Sequence, residues 1–328
     1  MKAIVIPETG EPSVLTASEL PDPTPGPTGL LIEVHATATN PVDTKIRSGR
    51  FRAPVEFPLV AGYDVSGRVA AIGKQVTRFR PGDAVYASPP LFKPGANAEY
   101  VVVDEAVAAR KPESLSHAEA AAMPLALLTA WELLYDMADV RAGETVLVHA
   151  AAGGVGHFAV QLAKARGCLV LGTGSSDDSF TLMNQLGVDH TINYKAEDVP
   201  ARVMAITDGR GCDAVFDLVG AAVFKPSIEL VATRGRLGTI VGIPADADLT
   251  PLFMKSASLH AEFMGAVALA GGVPSHQGAI LKDAAAMVEA GTLRPHVSRT
   301  FTLDALAEAH TLQETQGVTG KLAVTVRD

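Results

Sequence analysis

Val146-Leu-Val-His-Ala-Ala-Ala-Gly-Gly-Val-Gly156 decides how the rest of the chain is read. Val146, Leu147 and Val148 form a short β-branched and aliphatic run that ends in the small residues Ala150 to Gly156. Behind them Val155, Phe158, Ala159, Leu162 and Ala163 recur at helical spacing. Strand, tight turn and helix in this order form the setting in which a glycine-rich turn cradles a dinucleotide. Small residues admit a pyrophosphate close to the backbone, and the positive end of the new helix meets its charge. The spacing is Ala151-x-Gly153-x-x-Gly156, with alanine at the place of the first glycine. The alternative at this point is an ordinary strand-to-helix turn with no ligand.

The same rhythm continues outward. A helix over 155–166 closes at Gly167, a strand follows at Leu169–Thr173, a helix over 178–186 closes at Gly187, and a short strand covers His190–Asn193. Strands at Asp213–Leu218 and Arg236–Val241 flank a helix at Val223–Ala232. This alternation implies a doubly wound parallel sheet. The alternating segment Ser258–Met264 is a candidate edge strand, with a buried final strand as the competing reading. Upstream, Met1–Ile6, Leu30–Thr37, Ser66–Ile72, Ala84–Ala87 and Ala98–Val103 are strand-like runs punctuated by prolines, without helices between them. They suggest an antiparallel, barrel-like domain. Ser116 and Glu119 have the spacing of a capping box opening an alanine-rich helical stretch. After Pro274 the sequence predicts a helix ending at Gly291, another at Leu303–Thr315, and a last strand at Leu322–Val326.

Bulk properties narrow the classes. The 328 residues suit two domains, and a mean hydropathy of +0.22 argues against a disordered chain. The net charge of −9, without a basic cluster, disfavours nucleic acid. No apolar run is long enough for a membrane span. Two cysteines, Cys168 and Cys212, exclude a disulfide framework and suit a reducing, cytoplasmic setting.

With these elements placed, the chain resembles the medium-chain dehydrogenase/reductase superfamily, in its zinc-free quinone oxidoreductase branch. The carriers are Asn40-Pro-Val-Asp43, Gly62-Tyr-Asp-Val-Ser-Gly67, Pro81-Gly-Asp83, Leu128-Thr-Ala-Trp131, Ala150–Gly156 and Gly320-Lys-Leu-Ala-Val324. The resemblance implies an α/β fold in which a Rossmann doubly wound parallel sheet, residues 123–265, is inserted in a GroES-like β-barrel catalytic domain, residues 1–122 and 266–328. It also implies a homodimer paired through edge strands.

Departures from the zinc alcohol dehydrogenases are informative. Asn40 stands where those relatives have a catalytic cysteine, Gly62-Tyr63-Asp64 stands where they have Gly-His-Glu, and no cysteine falls between Tyr86 and Tyr100. Asn and Tyr do not replace Cys and His around zinc, so no zinc or other metal is expected.

By the family pattern Ala152, Gly153, Gly154, Val155 and Gly156 hold the pyrophosphate. Gly174 stands where NAD-preferring relatives carry an acid, which favours NADPH over NADH, with Ser175 and Ser176 as donors to the 2′-phosphate and Tyr194 beside it. Asp177 and Asp178 oppose that choice, unless Ser176 caps the following helix and the aspartates serve its dipole. Gly242 and Ile243 match the backbone that reads the carboxamide, and Phe263 lies where relatives close over the nicotinamide. Lys321 matches a basic residue reaching the cofactor phosphates, against the alternative of a solvated turn lysine.

The catalytic candidates are Asn40 and Tyr63 as donors to the substrate oxygen, Asp43, and Thr129 near the nicotinamide. The alternatives are that Asn40 and Asp43 only fix their loop, and that Tyr63 only fills the volume left by zinc and histidine. Relatives often have tyrosines at the positions of Lys45 and Phe51, so the pocket differs here. The expected activity is NADPH-dependent, zinc-independent hydride transfer to a quinone or an α,β-unsaturated carbonyl. A 2-enoyl thioester reductase and a non-catalytic NADPH-binding protein are the alternatives.

Overall fold

Alternation of apolar residues along the first 110 positions produces seven strands in the computed structural model, which describes residues 1–51, 54–315 and 317–327. They are β1 (Lys2–Val5), β2 (Thr16–Glu19), β3 (Gly29–Thr39), β4 (Val65–Ile72), β5 (Ala84–Ala87), β6 (Tyr100–Asp104) and β7 (Ala108–Arg110). β3 is the spine: Leu30, Ile32, Val34 and Ala36 all turn inward and are fully buried. It pairs antiparallel with both β4 and β6, and Val65, Val69, Val101 and Val103 pack against its inner face.

The alternating α/β region supplies six more strands: β8 (Thr145–Val148), β9 (Leu169–Gly174), β10 (His190–Asn193), β11 (Cys212–Asp217), β12 (Val231–Thr239) and β13 (Ser258–Ala261). All are parallel, in the order β10-β9-β8-β11-β12-β13. Order reverses between β8 and β11, so the carboxyl ends of these two strands flank the topological switch point where α/β sheets bind ligands. β13 ends the sheet as an edge strand, the position expected for that segment.

Two strands close the chain, β14 (Val297–Thr302) and β15 (Lys321–Thr325). β15 pairs antiparallel with β3, Leu322 opposite Thr39, so the C-terminal segment completes the N-terminal sheet. The chain divides into two units, 1–128 with 265–328 and 129–264. Against expected boundaries at 122/123 and 265/266, the units divide at 128/129, inside the Pro124–Trp131 helix, and at 264/265.

Some elements escaped the sequence reading. The Val199–Ile206 helix opens on an Asp198 cap and a proline in its first turn, in a stretch too short for a periodic signal. β14 is mostly exposed and lacks alternation. The helix expected at Val223–Ala232 runs from Ala221 to Leu230, because the residues from Val231 onward join β12. Among the described residues no helix is long and apolar enough to cross a membrane.

Candidate functional site

The turn after β8 is built around the Ala150 carbonyl. Ala150 has φ +51, a left-handed conformation that costs an alanine about 1–2 kcal/mol. Its carbonyl accepts from Gly153 N at 2.8 Å, and Ala151 N bonds Thr173 O at 3.1 Å. A Cβ on Gly156 would lie 2.1 Å from the Ala150 oxygen, so only glycine fits there. The N–H groups of Ala152, Gly154 and Val155 have no hydrogen-bond partner among the described residues. They stand at the start of the Gly156–Ala165 helix, whose dipole adds positive potential.

At the end of β9 the hydroxyls are already ordered. Ser176 caps the Asp177–Gln185 helix by accepting from Ser179 N at 3.2 Å, and Asp177 and Asp178 occupy the first turn. Its own hydroxyl hydrogen remains available. Ser175 Oγ donates to Tyr194 Oη at 2.9 Å, so this serine is a support rather than a direct donor. Half-exposed Tyr194 presents its hydroxyl hydrogen instead. A Cβ on Gly174 would come within 2.7 Å of both Ser179 Oγ and Met183 Cε, so a larger residue there would have to displace these two side-chain ends.

Beyond the switch point, buried Asp217 at the end of β11 accepts from Val219 N and Gly220 N, both at 2.8 Å. It fixes a loop that the sequence reading passed over. Gly242 has φ +112, as a glycine-only position demands, and Val219, Val241 and Ile243 stay exposed beside it. Phe263 follows β13 half-buried, and Thr129 is buried on the Pro124–Trp131 helix.

Buried Glu262 and Glu132 face each other next to this edge. Burial first, then the Glu132 charge and a hydrogen bond with it, push Glu262 up to about 9. The folded state therefore keeps a proton that an unfolded glutamate releases above about pH 4.3. Stability from this proton is complete below the unfolded value and is lost as pH rises toward 9. Glu262→Gln keeps the shape and a donor without the charge. Its melting temperature is expected to fall less than the wild type's between about pH 6 and 9; equal slopes would refute the shared proton.

The other unit holds a closed polar cluster. Asn40 precedes the Pro41–Arg47 helix, and its backbone N–H donates to Asp43 Oδ2 at 2.8 Å. Asp43 Oδ1 accepts from Gly62 N at 3.1 Å, so this carboxylate staples two loops, and burial pushes it up to about 7. Asp64, fully buried, accepts from Asn40 Nδ2 at 2.8 Å, Leu125 N at 2.7 Å and Lys321 Nζ at 3.0 Å. Burial raises its pKa while the Lys321 charge opposes the rise. Lys321 also donates to Thr39 O at 3.1 Å and to Asn40 Oδ1.

Two expectations change here. Lys321 does not stand ready for a phosphate: it is 3% exposed and its three ammonium hydrogens are matched by three oxygens. Tyr63 is fully buried, its hydroxyl lacks a hydrogen bond of good geometry, and burial with the Asp43 charge raises its pKa. It fills the core rather than reaching a substrate. Asp64, the hub of the cluster, was quoted in the sequence only as part of a motif. An acid flanked by apolar residues was the available signal. Among the described residues no group of three or more His, Cys, Asp or Glu is placed to hold a metal ion.

Comparison with known proteins agrees with both halves of this geometry. Residues 26–113 match the alcohol dehydrogenase GroES-like domain and residues 186–324 the zinc-binding dehydrogenase family. A quinone oxidoreductase from Pseudomonas aeruginosa is 37% identical over 316 residues, covering 95% of each chain. The human quinone oxidoreductase is 30% identical over 98% of this chain and 97% of its own. A mycobacterial structure complexed with NADPH superposes with a TM-score of 0.88 at 32% identity, covering 99% of this chain and all of that one. The chain is an oxidoreductase of the medium-chain dehydrogenase/reductase superfamily and belongs to its quinone oxidoreductase branch.

Proposed function

We propose that this chain is a zinc-independent reductase that takes NADPH in preference to NADH and reduces a quinone or an α,β-unsaturated carbonyl. The observation that carries the proposal is the Lys321 ammonium held by Asp64, Asn40 and Thr39. The cation of this cluster is the chain's own. The donor set around it is an amide, a carboxylate and a backbone carbonyl, with a buried phenol beside them. That set does not fit zinc, which takes cysteine, histidine and carboxylate in tetrahedral array.

The residues present do fit a nicotinamide dinucleotide. Ala152, Gly154 and Val155 offer free N–H groups to its pyrophosphate, and Gly156 keeps the turn tight enough for close approach. Tyr194 and Ser176 retain hydroxyl hydrogens for a 2′-phosphate at a site where Gly174 places no acidic side chain to repel it. Such a cofactor supplies the hydride when bound.

The chain's part is orientation and charge stabilisation. Lys321 holds Asn40 Oδ1 and Asp64 holds one hydrogen of Asn40 Nδ2, so the amide cannot flip. The second Nδ2 hydrogen has no partner among the described residues; Asn40 is 2% exposed, so under this proposal the substrate oxygen must enter beside the cluster to receive that hydrogen as negative charge develops on it.

Initial rates of NADPH and NADH oxidation against quinones, alkenones and 2-enoyl thioesters test the proposal. A kcat/KM about tenfold or more higher for NADPH, with turnover of quinones or enones, is expected. Turnover restricted to thioesters would transfer the assignment to that class. Tight NADPH binding with no turnover on any member would reduce the protein to a cofactor-binding factor.

A further inference from the structure

His149, the last residue before the cofactor turn, is 5% exposed and forms part of a directional chain of hydrogen bonds. Its Nε2 lies 3.1 Å from Ser227 Oγ, and its Nδ1 lies 3.4 Å from Thr173 Oγ1. Ser227 spends its hydroxyl hydrogen on Val223 O at 2.8 Å. Its oxygen can therefore only accept, which places the imidazole hydrogen on Nε2. Nδ1 is then a lone pair, and the Thr173 hydroxyl turns its hydrogen toward it. That leaves the Thr173 oxygen to accept from Ala150 N at 3.1 Å. Burial holds the His149 pKa down to about 4, which keeps the ring neutral.

Ala150 is where this chain ends and the cofactor turn begins. Its left-handed backbone is disfavoured for alanine. Its carbonyl is the acceptor around which Gly153 and Gly156 close.

We propose that His149 and Thr173 are positioning residues for the cofactor: the neutral Nε2–H imidazole orients the Thr173 hydroxyl, and that hydroxyl locks Ala150 in the left-handed conformation that aims the turn's N–H groups. The inference rests on the proposed nicotinamide cofactor. It adds that the turn is held ready before the cofactor arrives, through side chains from β9 and from the Ala221–Leu230 helix that do not touch the phosphates themselves. Removing the lock weakens binding, because the turn must then be ordered by the ligand. Hydride transfer, once the cofactor is bound, is unaffected.

The test measures NADPH and NADH affinity by fluorescence titration without substrate, alongside KM, kcat and melting temperature. Thr173→Val removes the hydroxyl and keeps the shape; it is expected to raise the NADPH Kd and KM about tenfold with kcat within about twofold. Thr173→Ser restores wild-type binding. Ala150→Gly placed in the Thr173→Val background recovers most of the lost affinity, because glycine takes the left-handed conformation without the lock. A merely structural threonine would lower the melting temperature without that recovery. Thr173→Val binding NADPH as tightly as wild type would overturn this inference and leave the proposed function standing. Wild-type protein that binds neither NADPH nor NADH would overturn both.

Discussion

Gly156→Ala is expected to weaken cofactor binding severely and to lower stability by about 1–3 kcal/mol, the range for forced overpacking. The added Cβ would stand 2.1 Å from the Ala150 oxygen and 2.9 Å from the Ala150 and Ala151 carbonyl carbons. These are backbone atoms of one turn, with no flexible side-chain end able to yield. The turn must open, and opening it misdirects the N–H groups of Ala152, Gly154 and Val155 together. A Kd for NADPH raised by about a hundredfold or more is expected, since several charge-assisted hydrogen bonds are lost at once. Gly153→Ala provides the graded control, because its Cβ would meet the same oxygen at 3.1 Å and needs only a small shift. Equal affinities for wild type and Gly156→Ala would show that the turn does not receive the pyrophosphate.

Lys321→Met is expected to destabilise the protein by about 3–5 kcal/mol, the cost of leaving a buried charge without its partner. Asp64 would keep Asn40 Nδ2 and Leu125 N as donors but lose its counter-ion, so burial would push its pKa higher still. The sign follows from that rise. A buried carboxyl whose folded pKa lies above its unfolded one is stable while protonated, and loses stability as pH climbs. The variant's deficit should therefore be largest near neutral pH and shrink toward about pH 4, close to the unfolded aspartate value. Urea unfolding of wild type and variant across that interval reads the difference. The double variant Asp64→Leu/Lys321→Met is expected to recover most of the stability while losing activity, because an apolar pair replaces the ion pair but nothing then orients the Asn40 amide. A single variant as stable as wild type at neutral pH would contradict the reading of this pair as a buried ion pair.

What could be read in advance followed the range of each interaction. The Ser116–Glu119 capping box and the Ser176 cap are contacts over three residues, and both formed as their spacing implied. The strand, turn and helix around Gly156 are equally local, and the parallel sheet followed from repetition of that unit. The buried cluster was not legible in this way. Lys321 meets Asp64 across 257 residues of sequence, and the pairing exists only because β15 returns to lie beside β3. As a lysine following a glycine it had every local sign of a solvated turn residue. Glu132 and Glu262 likewise come from distant segments, and neither neighbourhood announces a shared proton. Local sequence left Tyr63 two readings, donor or volume filler, for a related reason: a motif position shows where a residue stands in the chain, whereas burial depends on what the rest of the barrel packs around it.

Under the proposed function the Asn40, Asp64 and Lys321 cluster works without a metal. The direct measurement is the NADPH-dependent quinone reduction rate of protein stripped with a strong chelator, with its residual zinc quantified in the same sample. An undiminished rate is expected at far less than one zinc per chain. A rate that falls as the metal leaves and returns when zinc is added back would contradict it.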